Sequence, residues 1–303
     1  MTDLALPSVS SPRRGDGRKV QRRNNNVAYP LVAPAMILTG LFFFAPMVFS
    51  FVWSFSKYNG LQPRVWVGLS NYTDLLTDPS FRLAVRNTVF FAAVTMLVGP
   101  ALGLGSALLL NRKIRAQGVF RSIFFLPVTL SLVVVGTMWK ILLADNGLLN
   151  HFLQLVGLTG RSWLDDPSTS LLSVSAASIW QGFGFETVIF LAALQTIPRE
   201  LYEASSIDGA GPFQSFRAVT LPSLRPTMSF VYVVGLIGAL QAFDQVYVMT
   251  RGGPLESTTT VVFYLVDRFK SFDLGHASAA AYLLVAVLGV ISAVQLRYAK
   301  KIS

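Results

Sequence analysis

The chain has 303 residues, of which 52% are apolar and only 13% are charged. Soluble domains carry about 25% charged residues, so this composition indicates a membrane protein. The net charge is +10, but the basic residues cluster beside apolar stretches, which favours contact with anionic lipid headgroups over nucleic acid. The absence of Cys excludes disulfides, thiolate metal sites and cysteine catalysis.

The N-terminal segment, residues 1–27, is rich in Ser, Pro, Asn and Arg and carries few apolar side chains. This composition predicts a disordered basic tail. The tail is too polar and too long for a cleaved signal peptide, so we expect the first apolar span to be retained. Residues 28–303 are predicted to form one transmembrane domain.

Six apolar stretches are long enough to cross roughly 30 Å of hydrocarbon, which takes about 20 residues. Transmembrane strands would instead show weak alternation over segments of about ten residues. The sequence therefore predicts an all-α membrane protein with six transmembrane helices. The predicted spans are residues 31–55, 88–110, 122–144, 171–195, 227–249 and 277–296. Local kinks are predicted at Pro34, Pro46, Pro100 and Pro127.

The distribution of Lys and Arg predicts the orientation of the chain in the membrane. The tail, the loop at 111–121, the loop at 196–225 and the C-terminus together hold sixteen basic residues, whereas the opposite loops hold eight. Both termini and the 196–225 loop are therefore predicted to be cytoplasmic.

A polar connector, "EASSIDGAGPFQSFRAVTLP" (203–222), separates the fourth and fifth spans. Pro198, a few residues earlier, suits the start of a short helix, and Glu203 is expected in its first turn. Gly209 then permits a sharp change of backbone direction. A second short helix is predicted to follow and to end at Pro222. The alternative is an amphipathic connector that lies on the membrane.

This connector resembles the EAA loop of ATP-binding-cassette (ABC) importer permeases, a motif with several fixed positions over twenty residues. In that family the loop, here about residues 198–225, forms coupling helices that dock into a groove on a separate ATPase subunit. The resemblance implies a coupling role for Glu203, Ala204, Asp208, Gly209, Ala210, Phe216, Leu221 and Pro222. Ser205 stands where the family usually has a second Ala. The charge of Glu203 is expected to favour the helix N-terminus and to pair with a basic residue of the ATPase.

Further segments are similar to the carbohydrate-uptake branch of these permeases, which includes the maltose and glycerol-phosphate permeases. They are "NRKIRAQGVFRSIFFLP" (111–127), "WKILLADNGLLN" (139–150) and "TRGGP" (250–254). The chain looks nearest to the glycerol-3-phosphate/glycerophosphodiester permeases. The resemblance implies the type I importer architecture and a multi-pass position in the cell (inner or plasma) membrane. It also implies three partners: a second, similar permease subunit in a heterodimer, a homodimer of ABC ATPase subunits, and an extracytoplasmic solute-binding protein.

The chain lacks the G-x-x-x-x-G-K-[ST] phosphate loop, because no Gly is followed by Lys. ATP and Mg are therefore expected in the partner ATPase, and this chain is expected to be neither an enzyme nor a cofactor-binding protein. "GLGSAL" (103–108) and "GFGFET" (182–187) lack the last Gly of a dinucleotide fingerprint and are predicted to serve close helix packing. The two histidines, His151 and His276, are expected at the outer surface with no carboxylates clustered beside them, so no metal site is predicted.

Two carboxylates, Glu186 and Asp244, lie at membrane depth, where an ionisable residue normally faces a cavity or a partner. In related carbohydrate permeases the solute contacts segments that correspond to 178–186 and 238–245 here. The candidate cavity residues are Trp180, Gln181, Gly182, Phe185, Glu186, Gln241, Asp244 and Gln245. A stripe at helical spacing is predicted around Asp244, formed by Gly238, Gln241, Gln245 and Val248. The alternative is that these amides and carboxylates only hydrogen-bond neighbouring helices.

The candidate cavity residues mix polar and aromatic side chains, which suits a polyol solute. Arg is absent from the spans except near their ends, so a tightly held phosphate is not expected, whereas the carboxylates would attract a cation. These features and the resemblance favour a glycerophosphodiester such as glycerophosphocholine, or an sn-glycerol-3-phosphate-type solute. A sugar or oligosaccharide is the alternative within the same importer class. An ion-coupled secondary transporter, with Glu186 and Asp244 as ion sites, is the alternative from another class, although the inverted halves of many such carriers are not visible.

Overall fold

The computed structural model describes residues 31–112 and 117–302. The predicted disordered tail lies outside the described residues, as do residues 113–116 of the 111–121 loop. In chain order the elements are α1 (Leu31–Ser54), β1 (Ser56–Lys57), β2 (Val65–Trp66), α2 (Ser70–Thr77), α3 (Pro79–Leu110), α4 (Gln117–Thr129), α5 (Leu132–Leu142), α6 (Leu148–Leu155), α7 (Ser170–Gln195), α8 (Arg199–Ile207), α9 (Pro212–Ser223), α10 (Arg225–Leu240), α11 (Asp244–Met249), α12 (Val261–Lys270) and α13 (Leu274–Ile302). The two strands pair antiparallel, with Ser56 opposite Trp66.

Four of the described helices, α1, α3, α7 and α13, are long and apolar enough to cross a membrane. Two further segments are bent pairs: α4 and α5 meet at 100°, and α9 and α10 meet at 64°. The described chain therefore has four candidate spans, or six when each bent pair counts as one. An all-α membrane fold is what the apolar windows predicted.

The prolines inside these helices do not end them, and the kinks expected at Pro34, Pro100 and Pro127 stay predictions. Helix α1 widens into a π turn at Gly40–Phe44, directly before Pro46, and continues to Ser54. Helix α3 runs through Pro100, and α4 runs through Pro127.

The third predicted span, residues 122–144, is wrong as a single helix. The chain leaves the helical path after Thr129, and Ser131 is extended (φ −60°, ψ 139°) before α5 begins. An extended residue interrupts the ladder of i to i−4 hydrogen bonds, so the carbonyl of Leu130 is left for a partner outside the helix. That partner is a side chain of α7, described below.

The fifth predicted span, residues 227–249, is also interrupted. Helix α10 ends at Leu240, and Phe243 is non-helical (φ −139°, ψ −54°) before α11 begins. The buried Thr260 hydroxyl donates a 2.7 Å hydrogen bond to the carbonyl of Ala242, which satisfies a main-chain acceptor that the helix no longer uses. The stripe that was predicted around Asp244 at helical spacing is therefore wrong, because the helical repeat stops at Leu240.

The apolar core consists of three clusters along α3. At one end, α2, α12 and α13 pack against the start of α3 through Leu75, Phe81, Ala84, Val261, Tyr264, Ala279 and Ala280. In the middle, α7, α10 and α11 join it through Phe91, Ala92, Val174, Ala177, Ala239, Leu240 and Val246. At the other end, the last turns of α3 and α7 meet the start of α10 through Ala107, Leu110, Phe190, Leu191, Leu194, Leu224 and Val231.

Glycines set how closely α7 approaches its neighbours. A Cβ at Gly103 of α3 would lie 2.7 Å from the Cβ of Glu186, and a Cβ at Gly184 would overlap the carbonyl oxygen of Phe124 in α4. Small residues at such points let helix backbones come together. The close-packing role predicted for the two glycine-containing segments is confirmed at these two positions.

A polar cluster stabilises the N-terminal end of α3. Asp78 caps the helix by accepting a 2.9 Å hydrogen bond from the Ser80 amide, and it also accepts from the hydroxyl of Tyr264 (2.6 Å) and from Nη2 of Arg268 (2.9 Å). Burial alone would raise the pKa of Asp78, but these donors outweigh it and hold the pKa below its ordinary value. The cluster ties α3 to α12.

His276 extends this polar cluster. Its Nδ1 lies 2.9 Å from Oδ1 of Asp273, and its Nε2 lies 3.8 Å from Oδ2 of Asp74. The expectation of a surface histidine without neighbouring carboxylates is wrong for His276, because the turn before α13 and helix α2 each supply one.

We expect Asp78→Ala to lower the thermal stability of the protein by about 1–3 kcal/mol, because it leaves a helix N-terminus and two donors without an acceptor. The midpoint of thermal aggregation in detergent would measure this loss. Asp166→Ala is the matched control, since Asp166 accepts only local bonds from Ser168 and its loss should change the midpoint little. Equal midpoints for the two variants would contradict the capping role.

Candidate functional site

A cavity of about 510 Å³ lies between the middle of α3, α7, α10 and the interruption before α11. Seven of the eight residues predicted for the cavity line it: Gln181, Gly182, Phe185, Glu186, Gln241, Asp244 and Gln245. These residues stay together although the helix is interrupted after Leu240, because all of residues 241–245 line the cavity. Their part in solute binding remains a prediction.

Trp180 is the exception among the predicted cavity residues. It lies outside this cavity, and its ring packs edge-to-face on Trp139 of α5, with 5.9 Å between centroids. Trp180 therefore does not line this cavity with the other predicted residues, and its part in solute binding stays a prediction.

Two of the amides are used in holding helices together. Gln181 donates through Nε2 to the carbonyl of Leu130 (3.1 Å) and accepts through Oε1 from Nε2 of Gln245 (3.1 Å). Both side chains are buried. This pair therefore does hydrogen-bond neighbouring segments, and whether it does only that stays untested. Gln241, in contrast, is exposed to the cavity and Asp244 is half-buried.

Glu186 is a buried carboxylate in the cavity wall, with 8% of its surface exposed. Its carboxylate lies against a glycine face of α3, where a Cβ at Gly99 would come within 3.1 Å of Oε2. Oε2 is buried and has no hydrogen-bond partner among the described residues. A buried carboxylate oxygen without a donor is costly, which is typical of a residue kept for function.

The cavity wall also contains residues that were not predicted, and these include Thr95, Ser178, Phe183 and Phe243. Phe243 stacks on Tyr247 with 5.2 Å between ring centroids. Thr95 lies in the second predicted span, residues 88–110, which contains no carboxylate or amide that would mark a polar site in the sequence. Among the described residues, no Lys, Arg or His lines this cavity.

The connector at 203–222 forms the helix, turn and helix that its sequence predicts. Helix α8 begins directly after Pro198, Gly209 has a left-handed φ of +77°, and α9 begins at Pro212. A positive φ is the conformation that glycine adopts with least strain. The main-chain amide of Ala210 closes the turn on the carbonyl of Ser205 (3.0 Å).

Two details of the predicted connector are wrong. Glu203 is the fifth residue of α8, and the acidic residue in the first turn is Glu200. The second helix does not end at Pro222, because a π turn at Phe216–Thr220 precedes it and α9 continues to Ser223. Pro222 has no main-chain N–H and cannot donate the hydrogen bond of a regular helix. The π turn before it shifts the hydrogen-bond register by one residue, so the helix continues past the proline.

Hydroxyl pairs brace the two short helices against each other. The side chains of Ser205 and Ser215 lie 2.8 Å apart, and those of Tyr202 and Thr220 lie 2.9 Å apart. Of the predicted coupling residues, Glu203, Ala204, Asp208 and Gly209 are exposed, whereas Ala210, Phe216, Leu221 and Pro222 are half-buried. The exposed Ile207 and Phe213 were not predicted and give the same surface an apolar component.

A family model described as "Binding-protein-dependent transport system inner membrane component" matches residues 99–301 of this chain. The sulfoquinovosyl glycerol transport system permease protein SmoG of Agrobacterium fabrum is 37% identical over 276 residues, which cover 89% of this chain and 89% of that protein. The multiple sugar-binding transport system permease protein MsmF of Streptococcus mutans is 35% identical over 282 residues, which cover 89% of this chain and 94% of that protein.

A solved structure with a similar fold is that of a bacterial ABC transporter involved in the import of the acidic polysaccharide alginate. The TM-score is 0.81 at 24% sequence identity, and the match covers 94% of this chain and 98% of that chain. At this identity the likeness concerns the fold alone.

Proposed function

This chain belongs to the family of binding-protein-dependent transport system inner membrane components and is a multi-pass ABC importer permease, and we propose that it carries a neutral or cationic polyhydroxylated solute of the sugar class. The observation that supports this proposal most is the chemistry of the cavity wall. Carboxylates, amides and aromatic rings line it, and no basic residue does among the described residues. Hydroxyl groups of a polyol would donate to the carboxylates, and its C–H faces would lie on the rings.

The size of the cavity agrees with a small solute, since ligand pockets are typically about 300–1,000 Å³. The names of two relatives refer to sugars or a glycosylated glycerol. Both observations favour a sugar or glycoside for this chain.

A glycerophosphodiester such as glycerophosphocholine is a second candidate. Glu186 and Asp244 provide two carboxylates in one cavity, and Phe185 and Phe243 line the same wall. Carboxylates and aromatic faces attract a quaternary ammonium group. The absence of a basic lining residue argues against free sn-glycerol-3-phosphate.

The proposed assembly contains a second, similar permease subunit, two copies of an ABC ATPase that holds ATP and Mg, and an extracytoplasmic solute-binding protein. The connector formed by α8 and α9 would dock into the ATPase through its exposed acidic and apolar side chains. Movement of the ATPase pair would then be passed to α7 and α10, which flank the connector in the chain. An ion-coupled carrier has no use for such a connector.

We expect Asp244→Ala to reduce ATP-driven uptake by the reconstituted complex at least fivefold, because a polar contact of about 1–3 kcal/mol is lost from the cavity. Gln241→Ala should act in the same direction more weakly, since an amide brings no charge. Uptake and solute-stimulated ATP hydrolysis would be measured with a disaccharide, glycerophosphocholine and sn-glycerol-3-phosphate.

Asp165→Ala, an exposed carboxylate in the segment before α7, is the control and should leave uptake unchanged. Parental uptake by Asp244→Ala would refute the site assignment. Tight binding of glycerophosphocholine alone would favour the second candidate, and tight disaccharide binding alone would exclude it.

A further inference from the structure

Helix α6 presents an apolar face that no described residue covers. Leu148, Phe152 and Leu155 follow each other at helical spacing, and 67%, 60% and 73% of their surfaces are exposed. Val156 and Leu158 continue the exposed apolar surface beyond the helix. We propose that this face lies in the bilayer interface, on the side of the membrane opposite to the α8–α9 connector, so that lipid and not a protein partner covers it.

The position of α6 follows from the turn that precedes it. Helix α5 ends at Leu142, and Gly147 packs so tightly that a Cβ there would lie 2.5 Å from the carbonyl oxygen of Leu142 and 2.7 Å from that of Ile141. The amide of Gly147 also donates to the carbonyl of Ala144 (2.7 Å). This tight turn keeps α6 close to the end of α5, which is the second half of a candidate membrane span.

The orientation of α6 is fixed by one buried amide. Asn150 donates to the carbonyl oxygens of Asp145 (3.1 Å) and Arg161 (2.8 Å). Its Oδ1 accepts from the Arg161 amide (3.0 Å) and from Nε1 of Trp163 (2.8 Å). Because the chain segments before and after α6 both hold Asn150, the helix cannot rotate to turn its exposed residues inward.

The surface of α6 divides into three sectors. Leu149 and Asn150 face the protein, whereas His151 and Gln154 are exposed and polar. The apolar sector lies between these two and contains no charged residue. A helix that rests on protein, faces water on one side and presents large apolar side chains on the other is suited to lie in the plane of an interface.

Lipid is favoured over a soluble partner for two reasons. Helix α5 belongs to a candidate membrane span, and Ile141 in its last turn is also exposed, with 66% of its surface accessible. A soluble partner that leaves between transport cycles would also expose Leu148, Phe152 and Leu155 to water each time, which is costly for side chains of this size.

A fluorescence experiment tests this proposal, and the absence of Cys from this chain makes it specific. A single cysteine is introduced as Phe152→Cys in the apolar sector or, as the matched control, as Gln154→Cys in the polar sector. Each complete complex is labelled with bimane and reconstituted in liposomes of phosphatidylcholine and phosphatidylglycerol. Doxyl-labelled phosphatidylcholine and iodide are the two quenchers, and the labelled parental complex gives the background.

The label at 152 should be quenched at least threefold more by doxyl lipid than by iodide, and the label at 154 should show the reverse. Strong iodide quenching at 152 would place the face in water, and protection from both quenchers would show that a protein partner covers it. Either result would overturn the proposal. Leu155→Cys lies in the same sector and provides the measurement if Phe152→Cys does not assemble.

Discussion

Gly209→Val is expected to leave membrane insertion intact and to reduce ATP-driven uptake at least tenfold. The residue has a φ of +77°, which a β-branched side chain tolerates poorly, at a cost of about 1–3 kcal/mol. A change of backbone direction here would move α8 relative to α9 and disrupt the hydroxyl pair of Ser205 and Ser215. Purification through this chain, followed by measurement of retained ATPase and of uptake, would test it.

Gly209→Asn is the matched control for this prediction. A Cβ at Gly209 meets no atom within 4 Å, so steric overlap is absent and only the backbone conformation is at issue. Asn adopts left-handed φ more readily than other residues with a side chain. We expect Gly209→Asn to keep most of the uptake. If Gly209→Val also retained full ATPase and full uptake, the connector would be only an amphipathic link between spans.

Gly184→Ala is expected to destabilise the protein by about 3 kcal/mol, near the upper end of the usual cost of overpacking. The added Cβ would overlap the main-chain carbonyl of Phe124, which cannot rotate aside as a side chain can. Helices α4 and α7 would have to separate, and the hydrogen bond from Gln181 to Leu130 would be lost with them. The thermal midpoint and the yield of assembled complex would measure the effect.

Gly182→Ala, two residues earlier on the same helix, is the control for this effect on stability. A Cβ at Gly182 meets no atom within 4 Å and faces the cavity. Its thermal midpoint should equal that of the parental complex. Equal midpoints for Gly184→Ala and the parental complex would show that α4 and α7 are not held together at this point.

The long helices α1, α3, α7 and α13 were predictable from the sequence because each contains a window of 18 residues that is apolar on average. The connector was predictable for a different reason, since Gly209 is a residue whose presence indicates a backbone turn. Both features are set by residues close together in the chain. The number of membrane crossings and the cytoplasmic position of the termini stay predictions.

The interruptions of the third and fifth predicted spans were not predictable in this way. The break near Leu130 is stabilised by Gln181, and the break near Ala242 is stabilised by Thr260. Each partner is remote in sequence, so a local apolar window carries no sign of it. A window of residues from one helix also contains side chains that point in different directions, and Trp180 packs on Trp139 instead of lining the cavity.

The main-chain carbonyl of Leu130, at the bend between α4 and α5, affects which substitutions this protein can accept without a change of fold. A substitution at position 130 replaces the side chain but not the main-chain carbonyl. Gln181 can therefore keep its hydrogen bond to this carbonyl. Gln241, Asp244 and Phe185 face the cavity with side chains that the fold does not depend on. On the proposed assignment of the cavity, exchanging these three residues would change the solute preference, while the course of the backbone would stay the same.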